Sequence, residues 1–392
     1  MYEKELGQLK KLYENGLYKA NFYSRKIKDA SVFESYEKFQ EIPFTYKPEI
    51  RESGIMERTA TEMKDIYGVF SSSGTTGNKT FYIYNKNDKK VHEEFVKEFL
   101  GRIGINENDL GGIMAPVDTG VMAHTMMWEF TTMGAGYVNC PEPSPENIVD
   151  VITKVPVTAI ATRPNVVSNV VYNPETARAA KESTVKKLLL GGGFLSKERR
   201  KLLEETWDAD CYNMFGMSEM FGPMAGECPM KNGLHFLNQY LMIELVDPIT
   251  LQPVKEGEVG IAIYTTLWEK GFPLLRYWTD DMMKITYESC ECGSVYPRLY
   301  YLGRLADYID MNGKYIFPEM VENVLFSHGF YGDYKIYKEN DEIVIKTESM
   351  EAQISAKLQT EMNQLFEQEV TLEIVMPRSL GYSGHGNRIE KN

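Results

Sequence analysis

Apolar positions recur at roughly helical spacing through the first 45 residues, with Leu9, Leu12, Tyr13, Leu17, Phe22 and Tyr23 on one face, and the pattern ends at Pro43. This predicts an amphipathic helical opening. From Asp65 to Tyr84 the texture changes: Ile66, Tyr67, Val69 and Phe70 run into seven small residues, and Phe81-Tyr82-Ile83-Tyr84 follow. That order predicts strand, small-residue loop, strand. Between about 90 and 260, helical stretches such as 196–206 alternate with short runs such as Lys187-Leu188-Leu189-Leu190 before Gly191. Such alternation predicts an α/β architecture with sheets covered on both faces.

After Gly303-Arg304 a helix is predicted at 318–327, then a hairpin of Tyr334-Lys335-Ile336-Tyr337 and Ile343-Val344-Ile345 around Glu339-Asn340-Asp341. A further helix carries Ile354, Leu358, Met362 and Leu365 on one face, and a strand runs from Val370 to Val375. The expected architecture is a large N-terminal multi-sheet α/β domain, residues 1–303, with a small C-terminal α+β lid domain, residues 304–392.

Composition agrees with a folded chain: 392 residues, 43% hydrophobic and 25% charged. The net charge of −13 argues against nucleic acid as a partner, because that affinity rests on clustered Lys and Arg. A small-molecule substrate fits better. The N-terminus lacks a basic stretch followed by an apolar one, and no apolar run is long enough to span a membrane, so a cytoplasmic protein is expected. Five cysteines in a chain of this length do not make a disulfide scaffold. Their grouping matters more: Cys290 and Cys292 form a C-x-C pair, and Cys228 stands seven residues before His235. Two thiolates, a third and an imidazole have the number and softness of a closed tetrahedral zinc site, which would be structural because no position is left open. The alternative is inert buried thiols with a hydrogen-bonded histidine.

The segment Ser71-Ser72-Ser73-Gly74-Thr75-Thr76-Gly77 offers backbone N–H groups and hydroxyls that can surround a phosphate. A flexible Ser/Gly linker is the plain alternative, less apt between two strands. It is not a Walker loop: Lys79-Thr80 follows Asn78 where that pattern needs Gly.

The segment is similar to the phosphate loop of adenylate-forming enzymes, and three further landmarks follow in order: Tyr212 to Glu219, Pro273 to Asp281, and Gly303-Arg304-Leu305-Ala306-Asp307 with Asn312-Gly313 and Phe317-Pro318. With Ile42-Pro43-Phe44-Thr45, the chain resembles the phenylacetate–CoA ligase branch of that superfamily over nearly its whole length. The resemblance implies ATP-dependent activation of a carboxylic acid to an acyl-adenylate, then transfer to a thiol of CoA or of a carrier protein's phosphopantetheine. It places ATP and Mg2+ on Ser72, Ser73, Gly74, Thr75, Thr76, Gly77, Gly192, Asn213, Met214, Phe215, Gly216, Met217, Ser218, Glu219, Asp281 and Arg304, with Thr76, Glu219 and Arg304 catalytic. In physical terms Phe215 can stack on a base and Asn213 can bond its edge, Glu219 suits magnesium, Asp281 can accept from two ribose hydroxyls, and Arg304 can donate to ribose or phosphate. The surroundings of Cys228, His235, Cys290 and Cys292 resemble a metal-bearing subset of the branch.

The acid is expected beside Asp118 to His124 and Trp128, and an aromatic acid is what the branch implies. For Met122, Met126 and Trp128 plain core packing is the competing reading. Two positions depart from the family: Ala306 stands at the hinge, and Asn387 where a catalytic lysine is expected, so Arg388 or Lys391, and less so His385, are candidate substitutes. Transfer to an amine, or a weakened nucleotide- or acid-binding protein, are the alternative functions; a homodimer is left open.

Overall fold

The computed structural model describes residues 2–19, 21–72, 79–118, 120–311, 313–339, 341–349, 353–377, 379–380 and 388–391. Thirteen strands carry the larger part: β1 (Ile66–Ser71), β2 (Phe81–Asn85), β3 (Leu110–Ile113), β4 (Gly136–Asn139), β5 (Ala159–Thr162), β6 (Lys187–Gly191), β7 (Asp210–Met217), β8 (Gly222–Glu227), β9 (Leu234–Phe236), β10 (Leu241–Val246), β11 (Gly260–Thr266), β12 (Tyr277–Thr286) and β13 (Arg298–Arg304). β1 and β2 form an antiparallel hairpin, and the other eleven make one sheet in the order β10-β11-β12-β13-β9-β8-β7-β6-β5-β3-β4. The β4-to-β7 half is parallel and the rest antiparallel.

Alternation explains why the parallel half reads as continuous apolar runs. Leu188, Leu190 and Cys211 enter one core cluster with Ile148, Val167 and Trp207. Leu189, Tyr212 and Met214 enter the cluster on the opposite face with Phe95, Phe99 and Phe130. Helices cover both faces, as period-two burial on two sides requires, and each fully buried leucine contributes roughly 1.5–3 kcal/mol.

The helix expected at 196–206 is Lys197–Trp207, with the Ser196 hydroxyl accepting from Arg199 N–H as its N-cap. The opening is less regular than expected. One helix, Glu3–Glu14, is followed by short turns at Leu17–Lys19, Asn21–Ser24, Ala30–Phe33 and Tyr36–Gln40. Its apolar side chains still pack on β10 to β12 through Leu9, Tyr18, Tyr23 and Phe39.

The smaller part holds β14 (Ile309–Met311), β15 (Lys314–Ile316), β16 (Tyr334–Glu339), β17 (Glu342–Glu348), β18 (Thr371–Val375) and β19 (Ile389–Lys391), with helices Pro318–Ser327 and Ala356–Phe366. Its four-stranded sheet runs β18-β17-β16-β19 around a separate core of Val321, Leu325, Ile336, Ile345, Leu358, Met362 and Phe366. The hairpin and the helix at 318–327 fall where expected. The second helix starts later: Ser355 caps it through Leu358 N–H, so Ile354 lies outside it and Phe366 joins the buried face. The molecule is thus an α/β protein with a large N-terminal and a small C-terminal part. No helix among the described residues is long and apolar enough to cross a membrane.

Candidate functional site

Parallel strands present their C-terminal ends to one edge of a sheet, where ligands collect in open α/β folds. Here β6 and β7 end side by side, with Leu190 opposite Asn213 and Gly191 opposite Met214. Gly192, just past β6, has φ +70°, a conformation that glycine adopts without strain. At Gly216 a side chain is excluded outright, since a Cβ would lie 2.3 Å from the Gly222 carbonyl oxygen. These ends open into a cleft lined in part by Gly192, Asn213, Met214, Phe215, Gly216, Met217, Asp281 and Arg304.

Phe194 and Tyr301 add an aromatic wall, and Arg199, Asp307, Glu322 and Arg388 line the rest with charge. Tyr301 lies 5.1 Å from the Phe215 ring and 5.5 Å from Phe194, centroid to centroid, so a flat ligand would meet π faces. Asn213 is held from behind: its backbone N–H donates to Glu227 Oε2 at 2.7 Å, and Arg200 Nη2 donates to both oxygens of Glu227 at 2.7 and 2.9 Å. Neither Tyr301 nor the Arg200–Glu227 brace was apparent in the sequence, because nothing local distinguishes them.

Asp281 and Arg304 are 23 positions apart yet meet because the register of β12 and β13 pairs them. Arg304 Nε lies 3.5 Å from Asp281 Oδ1. Asp280 stands at φ +62°, pinned by the Trp278 indole N–H on its carboxylate at 2.6 Å and by Leu305 N–H on its carbonyl at 2.7 Å. This kink aims Asp281 into the cleft. Burial pushes the Asp281 carboxyl up to about 7, against the pull of Arg304. Its Oδ1 has no hydrogen-bond donor among the described residues, an unmet acceptor in a buried position.

Glu219 does not line the cleft. It is buried at 3% exposure and receives hydrogen bonds from Tyr82 at 2.9 Å and Tyr277 at 3.1 Å, with Lys47 Nζ at 3.1 Å. Burial pushes its carboxyl up, but Lys47, a backbone N–H and Tyr82 outweigh it, and it sits below the usual range as a carboxylate. Lys47 was missed in the sequence. The available signal was electrostatic: a lysine at the first turn of the helix Lys47–Glu52 opposes the helix dipole and calls for a compensating anion.

Ser72 is buried between the hairpin strands, exchanging backbone and side-chain bonds with Thr80 at 2.9 and 3.1 Å. Ser218 lies in the short 3-10 turn after β7, outside the cleft wall. Ser73, Gly74, Thr75, Thr76 and Gly77 lie outside the described residues, as do Thr119, Asn312, His385 and Asn387. In the region expected to meet the acid, Ser71 bridges to Gly120, which sets the helix Val121–Thr132 against the end of β1. Trp128 stacks on Tyr67 at 5.6 Å and packs on His92 and Phe221, and Met126 is in the core, so packing accounts for both. Arg388 does reach the cleft, where it is held by Asp333 and by the Tyr334 carbonyl at 3.0 Å. Lys391 stands in β19, opposite Lys338.

A second constellation lies away from the cleft. Cys228 Sγ is 3.8 Å from Cys290 Sγ, Cys292 Sγ is 3.4 Å from His235 Nε2, and all four ligand atoms lie within 4.8 Å of one another. A tetrahedron with zinc–sulfur bonds of about 2.3 Å has sulfur–sulfur edges of about 3.8 Å. His235 Nδ1 donates to the Tyr296 carbonyl at 2.8 Å, which leaves Nε2 as the lone-pair nitrogen facing the thiols. The four residues therefore fit a closed metal site.

Comparison with known proteins agrees with this geometry. The profile of the AMP-binding enzyme family matches residues 24–265. The phenylacetate-coenzyme A ligase of Thermus thermophilus is 31% identical over 340 residues, 82% of this chain and 74% of that one. Among solved structures, a 2-hydroxyisobutyryl-CoA ligase in its postadenylation state with 2-HIB-AMP has a TM-score of 0.85 at 21% identity, covering 99% of this chain and 89% of that one. The same ligase in its thioesterification state, with 2-HIB-AMP and CoA, gives 0.70 at 21% identity over the same shares. The chain belongs to the AMP-binding enzyme family, in its phenylacetate-coenzyme A ligase-like, adenylate-forming branch.

Proposed function

We propose that this protein uses ATP to convert a carboxylic acid, aromatic by preference, into an acyl-adenylate with release of pyrophosphate, and then transfers the acyl group to coenzyme A. The observation that carries the reading is the convergence of Asn213, Phe215, Asp281 and Arg304 in one cleft at the ends of β6 and β7. The aromatic preference rests on the substrate named for the Thermus relative.

Within this proposal Phe215 and Tyr301, packed on each other, form an aromatic wall for the base, and Asn213, braced by Glu227, reads its edge. Asp281 accepts from the ribose hydroxyls and Arg304 donates to ribose or phosphate. Ser72 to Gly77, with Thr76 foremost, cradle the β- and γ-phosphates; Gly192, Met214, Gly216, Met217 and Ser218 shape the nucleotide's path. Glu219, kept ionised beside Lys47, is the carboxylate suited to a phosphate-bound magnesium ion, which supplies charge neutralisation when bound. Arg388, at the cleft, contributes part of the positive charge that a lysine at 387 would bring. The boundary between the two parts falls at Gly303/Arg304, and the arrangement of the small part corresponds to a postadenylation state, supported by the better overlap with that form of the solved ligase.

Zinc at Cys228, His235, Cys290 and Cys292 would be structural, tying the β8–β9 connection to the loop before β13. The test of the function is ATP–pyrophosphate exchange with aryl, amino and short aliphatic acids. Acid-dependent exchange strongest with aryl acids is expected; none with any acid refutes the proposal.

A further inference from the structure

Between the large and small parts, in the lining of the same cleft, lies an ion pair to which the proposed nucleotide contacts assign no role. Arg199, in the first turn of the helix Lys197–Trp207, donates from Nε to Glu322 Oε1 at 2.9 Å and from Nη2 to Oε2 at 2.7 Å. Glu322 belongs to the helix Pro318–Ser327 of the small part. Arg199 Nη1 donates to Ser168 Oγ at 3.1 Å, and the guanidinium lies 4.8 Å from the Phe326 ring. The side chains are 6% and 1% exposed. Two polar contacts flank the pair: Glu198 N–H donates to Asn323 Oδ1 at 3.1 Å, and the Tyr172 hydroxyl donates to the Tyr331 carbonyl.

A buried ion pair is a costly way to hold two surfaces together, since desolvation offsets much of the Coulomb attraction. Apolar residues of similar volume would bind as well or better. What the pair has instead is geometric fidelity, from a bidentate fork that fits one arrangement, and reversibility, because both ions regain water when the surfaces part. Such chemistry suits a contact that must be made and unmade in each catalytic cycle, at the rim of the cleft that the small part covers.

We infer that Arg199 and Glu322 are positioning residues that latch the small part over the nucleotide cleft for acid activation and release it for transfer to coenzyme A. This rests on the proposed function. Loss of one partner leaves the other buried and unpaired, so the latch opens. Replacement of both by apolar residues fixes it shut. The two kinds of variant therefore act in opposite directions on the two half-reactions, which a merely structural contact would not do.

The experiment measures pyrophosphate exchange, thioester formation from supplied phenylacetyl-adenylate and coenzyme A, and the radius of gyration by small-angle X-ray scattering, on full-length protein. Glu322→Gln is expected to lower exchange at least tenfold, to leave thioester formation within about twofold, and to enlarge the radius of gyration. The double variant Arg199→Met, Glu322→Leu is expected to keep exchange within about threefold, to slow thioester formation about tenfold, and to leave the radius unchanged. Equal losses in both half-reactions for both variants, or an unchanged radius for Glu322→Gln, overturn the latch. If the wild-type protein supports neither half-reaction, the functional reading fails instead, and the scattering comparison alone still decides whether Arg199 and Glu322 hold the two parts together.

Discussion

Replacing Asp281 by Asn removes one negative charge from the cleft while keeping the side chain's shape. Asp281 is 2% exposed, its Oδ1 receives no hydrogen bond among the described residues, and burial raises its carboxyl to about 7 despite Arg304 at 3.5 Å. If ribose binding needs the carboxylate, the competent fraction of free enzyme climbs from about one tenth at pH 6 to about nine tenths at pH 8, and the apparent KM for ATP falls about tenfold across that range. In Asp281→Asn the fall disappears. The lost charge-assisted bonds, roughly 1.5–3 kcal/mol, raise KM or lower kcat/KM by about 10- to 150-fold at pH 8. Stability should move the other way. A carboxyl whose folded value is raised contributes stability that is full below about pH 4 and is lost as pH rises through about 7, so the asparagine variant gains melting temperature relative to wild type at pH 8. Pyrophosphate exchange against ATP concentration at pH 6, 7 and 8, with thermal unfolding at the same values, tests both. A variant with wild-type KM at pH 8, or one that keeps the wild-type pH dependence, refutes the role given to Asp281.

Three further outcomes are expected. Protein purified without chelator carries about one zinc per chain by elemental analysis, and Cys290→Ser loses the metal and lowers the melting temperature; absence of metal with an unchanged melting temperature sinks the site. Glu219→Ala lowers pyrophosphate exchange at least a hundredfold, and excess magnesium does not restore it; near-normal turnover at limiting ATP would remove Glu219 from the site. Arg388→Met lowers exchange about tenfold and Asn387→Lys raises it, and no change in either variant would leave acid activation to the large part alone.

Legibility followed the range over which each signal acts. The β1–β2 hairpin, the helix after Ser196 and the strands around 340 were readable because capping, turn chemistry and period-two alternation are local. Cys228, His235, Cys290 and Cys292 could be grouped across 64 positions because few residue types share their chemistry. The register that pairs Asp281 with Arg304 was not readable, although each residue was, since a strand pairing depends on the whole sheet. Lys47 beside Glu219 and Arg199 beside Glu322 look in sequence like ordinary charges on helices that face water. Only the fold shows that Lys47 meets a buried carboxylate and that Arg199 and Glu322 are both buried. The opening segment misled in detail because helical spacing persists through its short turns, so periodicity alone could not show where the helix breaks.

The central claim is acid activation through an acyl-adenylate, and the most direct measurement is ATP–pyrophosphate exchange by the purified, full-length protein with phenylacetate and related aryl acids. Exchange that depends on the acid and on magnesium, and that is lost in Asp281→Asn at limiting ATP, is the predicted result. A folded protein that binds ATP yet shows no acid-dependent exchange with any aryl, amino or short aliphatic acid would contradict it.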